Sequence, residues 1–287
     1  NERKRNEIHL YIPAWSIMGK SQLLNDVRSI IRRKQYSYRT EKAYIGWLKR
    51  FIYYCDRVHP LDVPEHQVVN FLNHLAVDKN VAAKTQNQAL CALVFLYKQV
   101  LDKPLGVLKG LQYAKTNKNL PVVLTVREVR AVLSNLENEG LAGLIVSLLY
   151  GTGMRVSEGL RLRILDLDFE AKNIVVRNGK GNKDRVTVLP DSLAASLKSH
   201  LSKVRLLHER DLQKGGGRVL LPKALERKYP RASIDYKWQY VFPSPRIGRD
   251  PRTGFEHRYH RSPQFLNRKI DAAVRQAGIQ KKVSAHT

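Results

Sequence analysis

Apolar residues recur at helical spacing through the first third of the chain. Tyr44, Leu48, Phe51, Ile52 and Cys55 form one stripe. Val68, Val69, Leu72 and Leu75 form a second, and Leu90, Leu93, Val94, Tyr97 and Leu101 a third. Steps of three and four residues put each set on one helix face, so residues 20 to about 102 read as packed helices. The opening "NERKRNEI" is polar and patternless, and Met18 reads as a natural start, which leaves residues 1–17 outside the domain. The pattern breaks over 103–120, where Pro104, Gly106, Gly110 and spread lysines read as a basic linker. Thr125 and Glu128 then form a T-x-x-E capping box ahead of an apolar helix.

Beyond the linker the period changes. The apolar run Leu144, Ile145, Val146, Leu148 and Leu149 leads into "YGTGMRVSE", residues 150–158. "KNIVVRNGKGNKDRVTVLP" reads as strand, glycine-flanked turn and strand, with Val175 and Val176 on the first and Val186, Val188 and Leu189 on the second. Lys180 sits at the tip. Helical patterns return at about 191–206 and 264–277. The expected class is mainly α with a small antiparallel sheet: a helical domain over 18–102, then a mixed α+β domain over 121–287.

Charge alters this picture more than composition does. The 287 residues hold 51 Lys and Arg against 25 Asp and Glu, a net +26. Such an excess repels itself in a compact chain and points to a polyanionic partner, nucleic acid first. Cys55 and Cys91 make no disulfide or metal pattern and read as buried thiols in a reducing compartment. "LYIPAWSIM" is too short to span a membrane and contains Pro13. Export is not expected.

Several motifs fail. "GTG" lacks the third glycine of a dinucleotide fingerprint, and "NGKGN" is no phosphate-binding loop. "HRYH", residues 257–260, has metal-like spacing but no further ligands in view. No cofactor or metal is expected. An arginine at a turn, Arg155, and a lysine at a hairpin tip, Lys180, remain. A guanidinium clamps phosphate through two hydrogen bonds, and a mobile lysine can protonate a departing alkoxide. The alternative pairs Arg155 with Glu158 or Asp166 and leaves Lys180 solvated. In "KTQNQ", Lys84, Thr85 and Gln86 suit phosphate and base-edge contacts, or form an ordinary solvated helix start.

"LLYGTGMRVSEGLRLRILDLDF" followed by "VVRNGKGNKDRVTVLP" resembles the tyrosine recombinase (phage integrase) family, and the terminal "SAHT" looks like the opening of its H-x-L-R-H box. The resemblance runs over roughly 20–287. It implies a helical SAM-like core-binding domain and a catalytic domain that clamp DNA. It also implies strand cleavage and rejoining through a 3′-phosphotyrosyl link, with no metal or ATP. Carried over, Arg155 is a phosphate-clamping arginine, Lys180 the general acid for the 5′-oxygen, and His286 the first histidine of the box. Glu158 would hold neighbouring groups in place. The second arginine, the second histidine and the nucleophilic tyrosine would lie past residue 287. The catalytic domain is therefore expected to be incomplete, and these residues to bind DNA without cutting it.

"LLPKALERKYPRASIDYKWQYVFPSP" resembles the extra helix and flanks of integron integrases, which capture gene cassettes. Residues 203–261 hold 15 Lys and Arg against 6 Asp and Glu, and an insertion of about 205–262 is expected. Arg258, Tyr259 and His260 match that type's R-H-H run, with tyrosine at the second place. The resemblance implies contacts with extrahelical bases of a folded single-stranded cassette site, beside a duplex site. It also implies a homotetramer on DNA in a bacterial cytoplasm. Trp238, Tyr240 and Phe242 read instead as core, at alternating positions. An Xer- or phage-type recombinase acting on duplex sites, or a non-catalytic DNA-binding protein, are the competing readings.

Overall fold

The computed structural model describes residues 15–106, 114–115, 120, 122–179, 183–221 and 223–287. Contacts divide the chain into two compact units, 1–119 and 120–287.

The first unit is helical: α1 (Trp15–Arg33), α2 (Tyr38–Tyr54), α3 (Glu65–Val77) and α4 (Ala83–Phe95), the last continued by one π-helical turn, Leu96–Val100. Helix α1 begins three residues before Met18. The apolar stripes meet in one core, where Leu48, Phe51, Leu93 and Leu96 are fully buried. Phe51 packs edge-on to Phe71 at 5.4 Å, and the Tyr97 hydroxyl donates to Pro60 O. Arg32 bonds both oxygens of the buried Glu41, fixing α1 against α2. Cys55 and Cys91 are half-buried, not buried as the stripes implied. Cys55 caps the end of α2, where the helix leaves the core. Most of 107–119 lies outside the described residues. Ala114 is gripped by the Asn87 side chain through both its N–H and its carbonyl.

The second unit contains α5 (Val126–Glu137), α6 (Leu141–Thr152), α7 (Val156–Leu160), β1 (Leu167–Asp168), β2 (Asn173–Val176), β3 (Arg185–Val188), α8 (Asp191–Gln213), α9 (Lys223–Lys228), β4 (Pro243–Arg249), β5 (Glu256–His260) and α10 (Pro263–Gln276). The Thr125–Glu128 capping box is formed in both directions. Strands β1-β2-β3 make one antiparallel sheet, and β4-β5 a separate hairpin with an irregularity between Pro243 and Ile247. Ile145, Leu148, Leu160, Ile174, Leu197, Val241, Phe242 and Leu266 form the core.

The sheet departs from expectation in one respect. Val186 and Val188 face outward, 63% and 66% exposed, while Arg185 and Thr187 face inward. Thr187 donates to Thr152 O, and Arg185 to Glu158. On this edge strand the loop bearing Arg155 claims the inner face.

Candidate active site

Helix α6 is apolar for most of its length and must end before the chain can turn. Gly153 provides the end, in the left-handed region at φ 62° that glycine enters at little cost. Two residues on, Arg155 is extended and caps α7. Its side chain is 49% exposed, and the burial falls on its partner: Glu158 is only 2% exposed. An arginine can reach outward from a helix start, whereas a carboxylate at the third position of that helix points back beneath the turn.

Glu158 is compensated by three donors. Arg155 N–H reaches it at 2.9 Å, Arg155 Nη1 at 2.8 Å and Arg185 Nη2 at 2.8 Å. These bonds, Arg185's foremost, outweigh burial and hold the Glu158 carboxyl down at about 2. The same bond pushes the Arg185 guanidinium up. Among the described residues no acceptor takes Arg155 Nε or Nη2, so one edge of the fork stays open. Asp166 repeats the device, accepting from Arg163 N–H and from Arg177 Nε at 2.7 Å.

Lys180, with Gly181 and Asn182, lies outside the described residues. The hairpin stem is described. Gly179 N–H donates to Lys183 O, and a Cβ on Gly179 would stand 2.9 Å from that oxygen and 3.4 Å from Glu158 Oε1. Glycine lets the two sides of the stem pass this close to each other. A recess of about 410 Å3 lies between Gly153, Arg155, Lys183, Asp184 and Arg185.

His286 is exposed, its backbone N–H on Ser284 Oγ. A cavity of about 500 Å3 has Arg155, His286 and Tyr150 among its lining residues. The structure thus brings Arg155 and His286, 131 positions apart in the sequence, to one cavity. Sequence reasoning missed Arg185 and Tyr150. An arginine opening a short strand carries no local signal, and Tyr150 reads as the end of an apolar run.

In the first unit, Lys84 is exposed and Thr85 half-buried. Gln86 is half-buried, and its Nε2 donates to Leu72 O, bracing α4 on α3. A concavity of about 830 Å3 lies nearby, lined by Arg39, Lys42, Trp47, Arg50 and Gln88. Trp47 Nε1 donates to Gln88, and Arg50 lies 4.6 Å from the Trp47 ring. Arg39, Lys42 and Arg50 escaped sequence reading because they lie off the apolar stripe of α2, while Trp47 is buried and Gln88 comes from α4.

The run 258–260 divides. Arg258 is buried rather than offered to DNA, with Nε and Nη2 on Asp211 and Nη1 on Ser244 O. The charge was legible, but its partner lies 47 residues upstream. Tyr259 is 45% exposed and stacks obliquely on half-buried His260 at 4.1 Å. Burial pushes His260 down, favouring the neutral ring. Tyr240 meets both rings edge-on, over Arg163 at 4.7 Å. Tyr240 and Phe242 are buried, and Trp238 is half-buried. Among the described residues no three His, Cys, Asp or Glu could share a metal ion, and no helix is long and apolar enough to cross a membrane.

The pattern described as "Phage integrase, N-terminal SAM-like domain" matches residues 23–107, and that described as "Phage integrase family" matches 122–287. An integrase/recombinase of Escherichia coli is 44% identical over 266 residues, covering 93% of this chain and 78% of that protein. The tyrosine recombinase XerA of Pyrococcus furiosus is 42% identical over 92 residues, 32% of each chain. Two solved structures share the fold. XerH recombinase bound to its difH substrate is 18% identical with a TM-score of 0.56, over 93% of this chain and 71% of that one. A lambda integrase dimer on a core site is 13% identical with a TM-score of 0.56, over 92% and 80%.

Proposed function

We infer that this chain, which belongs to the phage integrase family of tyrosine recombinases, a class of DNA strand-transferring enzymes, grips a scissile phosphate through Arg155. The observation that carries the reading is the Glu158 carboxylate, which holds Arg155 half-exposed in a cavity shared with His286. In the proposed reaction the open edge of the Arg155 fork takes two phosphate oxygens. His286 faces the nonbridging oxygen, and Lys180 gives its proton to the departing 5′-oxygen as the phosphotyrosyl link forms. Transition-state charge is met by groups already fixed in place. No tyrosine of these 287 residues is assigned the attack.

The proposed organisation is a core-binding domain over 18–102, a basic linker over 103–120 and a catalytic domain over 121–287 with an insertion of about 205–262. The proposed substrate is the integron type: a folded single-stranded cassette site with extrahelical bases, recombined with a duplex site by a tetramer in a bacterial cytoplasm. The Tyr259–His260–Tyr240 stack supports this, because an exposed ring backed by two others and an arginine is a surface on which a splayed base can lie. Binding to a hairpin strand with bulged bases and to its perfect duplex, at one salt concentration, tests the substrate. The proposal expects the hairpin to bind more tightly. Equal affinity would replace it with the duplex-site reading.

A further inference from the structure

A second basic recess in residues 120–287 shares none of its described lining residues with the Arg155–His286 cavity. It has a volume of about 1020 Å3 and lies between α6, α8, Pro243–Pro245 and Arg261. Helix α8 gives it Ser192, Ser196, Ser199, His200 and Lys203. Steps of three and four residues set these on one helix face.

Arg261 forms the other wall. Its Nε is buried without a hydrogen-bond partner, and its guanidinium lies 4.7 Å from the Phe265 ring. Among the described residues no carboxylate pairs with it. A buried guanidine nitrogen left unmet is costly, and such groups normally have a partner. Burial alone pushes the Arg261 guanidinium down. His200 donates from Nε2 to Val241 O at 2.8 Å, which leaves Nδ1 as an acceptor, or a donor once protonated. Burial, then the charges of Lys203 and Arg261, which line the same recess, disfavours its cation. Glu137, exposed at the rim, is the one acid among the described lining residues.

We propose that this recess is a phosphoryl-binding site, with Arg261 and Lys203 neutralising the anion and the α8 serines donating to its remaining oxygens. The fork of Arg261 suits two oxygens of one phosphate, and Lys203 supplies a point charge. The recess also has room for more than a bare anion, since small-ligand sites typically occupy about 300–1,000 Å3. The phosphoryl group comes either from a free phosphorylated small molecule or from the backbone of a DNA segment. The site does not depend on the proposed role of Arg155.

The test titrates the chain with inorganic pyrophosphate at constant ionic strength, reading heat of binding and the shift in Tm. The background is R155A, which removes the arginine of the other cavity. In that background pyrophosphate should bind, and Lys203→Gln and Arg261→Gln should each weaken it by at least about tenfold. Ser196→Asp sets a carboxylate on an exposed part of α8 without disturbing the core, and should also abolish binding. It keeps the test decisive if Arg261→Gln folds poorly. Undiminished binding in K203Q and S196D would overturn the proposal. A short duplex then separates the sources: competition with pyrophosphate assigns the site to DNA backbone, and its absence to a free phosphorylated ligand.

Discussion

Glu158 Oε2 and Arg185 Nη2 stand 2.8 Å apart across 27 positions of sequence, tying the edge strand β3 to the start of α7. Because the same carboxylate holds Arg155, one buried group sets the positions of two arginines. Replacing Glu158 by Gln leaves both guanidiniums without their counter-charge. The expected loss is about 2 kcal/mol of stability, the scale of a hydrogen bond to a charged group. Urea unfolding of residues 120–287 reads it, and an unchanged midpoint would show that the network is dispensable.

Acid should release the same network. The Glu158 carboxyl is held down from 4.5 to about 2. A depressed carboxyl stabilises the fold fully above its unfolded value, and that contribution fades as pH falls from about 4.5 toward 2. Wild type should therefore lose its advantage over Glu158→Gln across this window. Paired urea titrations at neutral pH and near pH 3 measure the gap, and a gap that does not narrow on acidification contradicts the assignment.

Arg155→Ala removes a half-exposed side chain, so its effect should fall on DNA. Affinity should drop and the salt dependence should lessen by about one phosphate contact, with the melting of residues 1–119 unchanged. Unfolding of residues 120–287 instead would mean that the Glu158 pair is structural first.

Tyr259→Ala and Arg258→Gln should part company. Loss of the exposed ring is expected to cost about 1–3 kcal/mol of affinity for a strand with unstacked bases and little on duplex. Loss of the buried guanidinium strands Asp211, and should lower Tm before it touches binding. Anisotropy with both DNAs, beside a thermal melt of each variant, separates the two effects. Identical profiles would undo the distinction between platform and anchor.

Lys42→Ala tests the concavity of the first unit. It should weaken binding evenly across sequences and reduce the salt slope by about one, whereas Gln86→Ala should act on stability through its bond to Leu72 O. A sequence-dependent loss in Lys42→Ala would make that residue a base reader.

The helices were legible because burial repeats at their period: Leu48 and Phe51, or Leu90 and Leu93, announce the faces they bury. Strand β3 was legible as a strand but not in its orientation, since its inner face is set by Glu158 and Thr152 and not by apolar contact. The hairpin β4-β5 was missed. Pro243, Pro245 and Gly248 give no alternation, and its tie to α8 is the Arg258–Asp211 ion pair, whose partners lie 47 positions apart. At the site, Arg155 and Glu158 could be paired from a three-residue spacing. Arg185 could not, because nothing local marks which of many arginines will return to that carboxylate.

Helix α8 runs 23 residues without a break, about 35 Å at 1.5 Å per residue. Pro190, at its start, lies so near Gly151 that an added Cβ would come within 2.9 Å of its ring. Asp211, near its far end, holds Arg258 and with it the hairpin carrying Tyr259. The helix is thus a ruler between the turn that bears Arg155 and the aromatic hairpin. Its length fixes their separation, and each residue added or removed would also swing the hairpin by about 100° around the axis. Sequence change along α8 is therefore constrained in number more tightly than in kind.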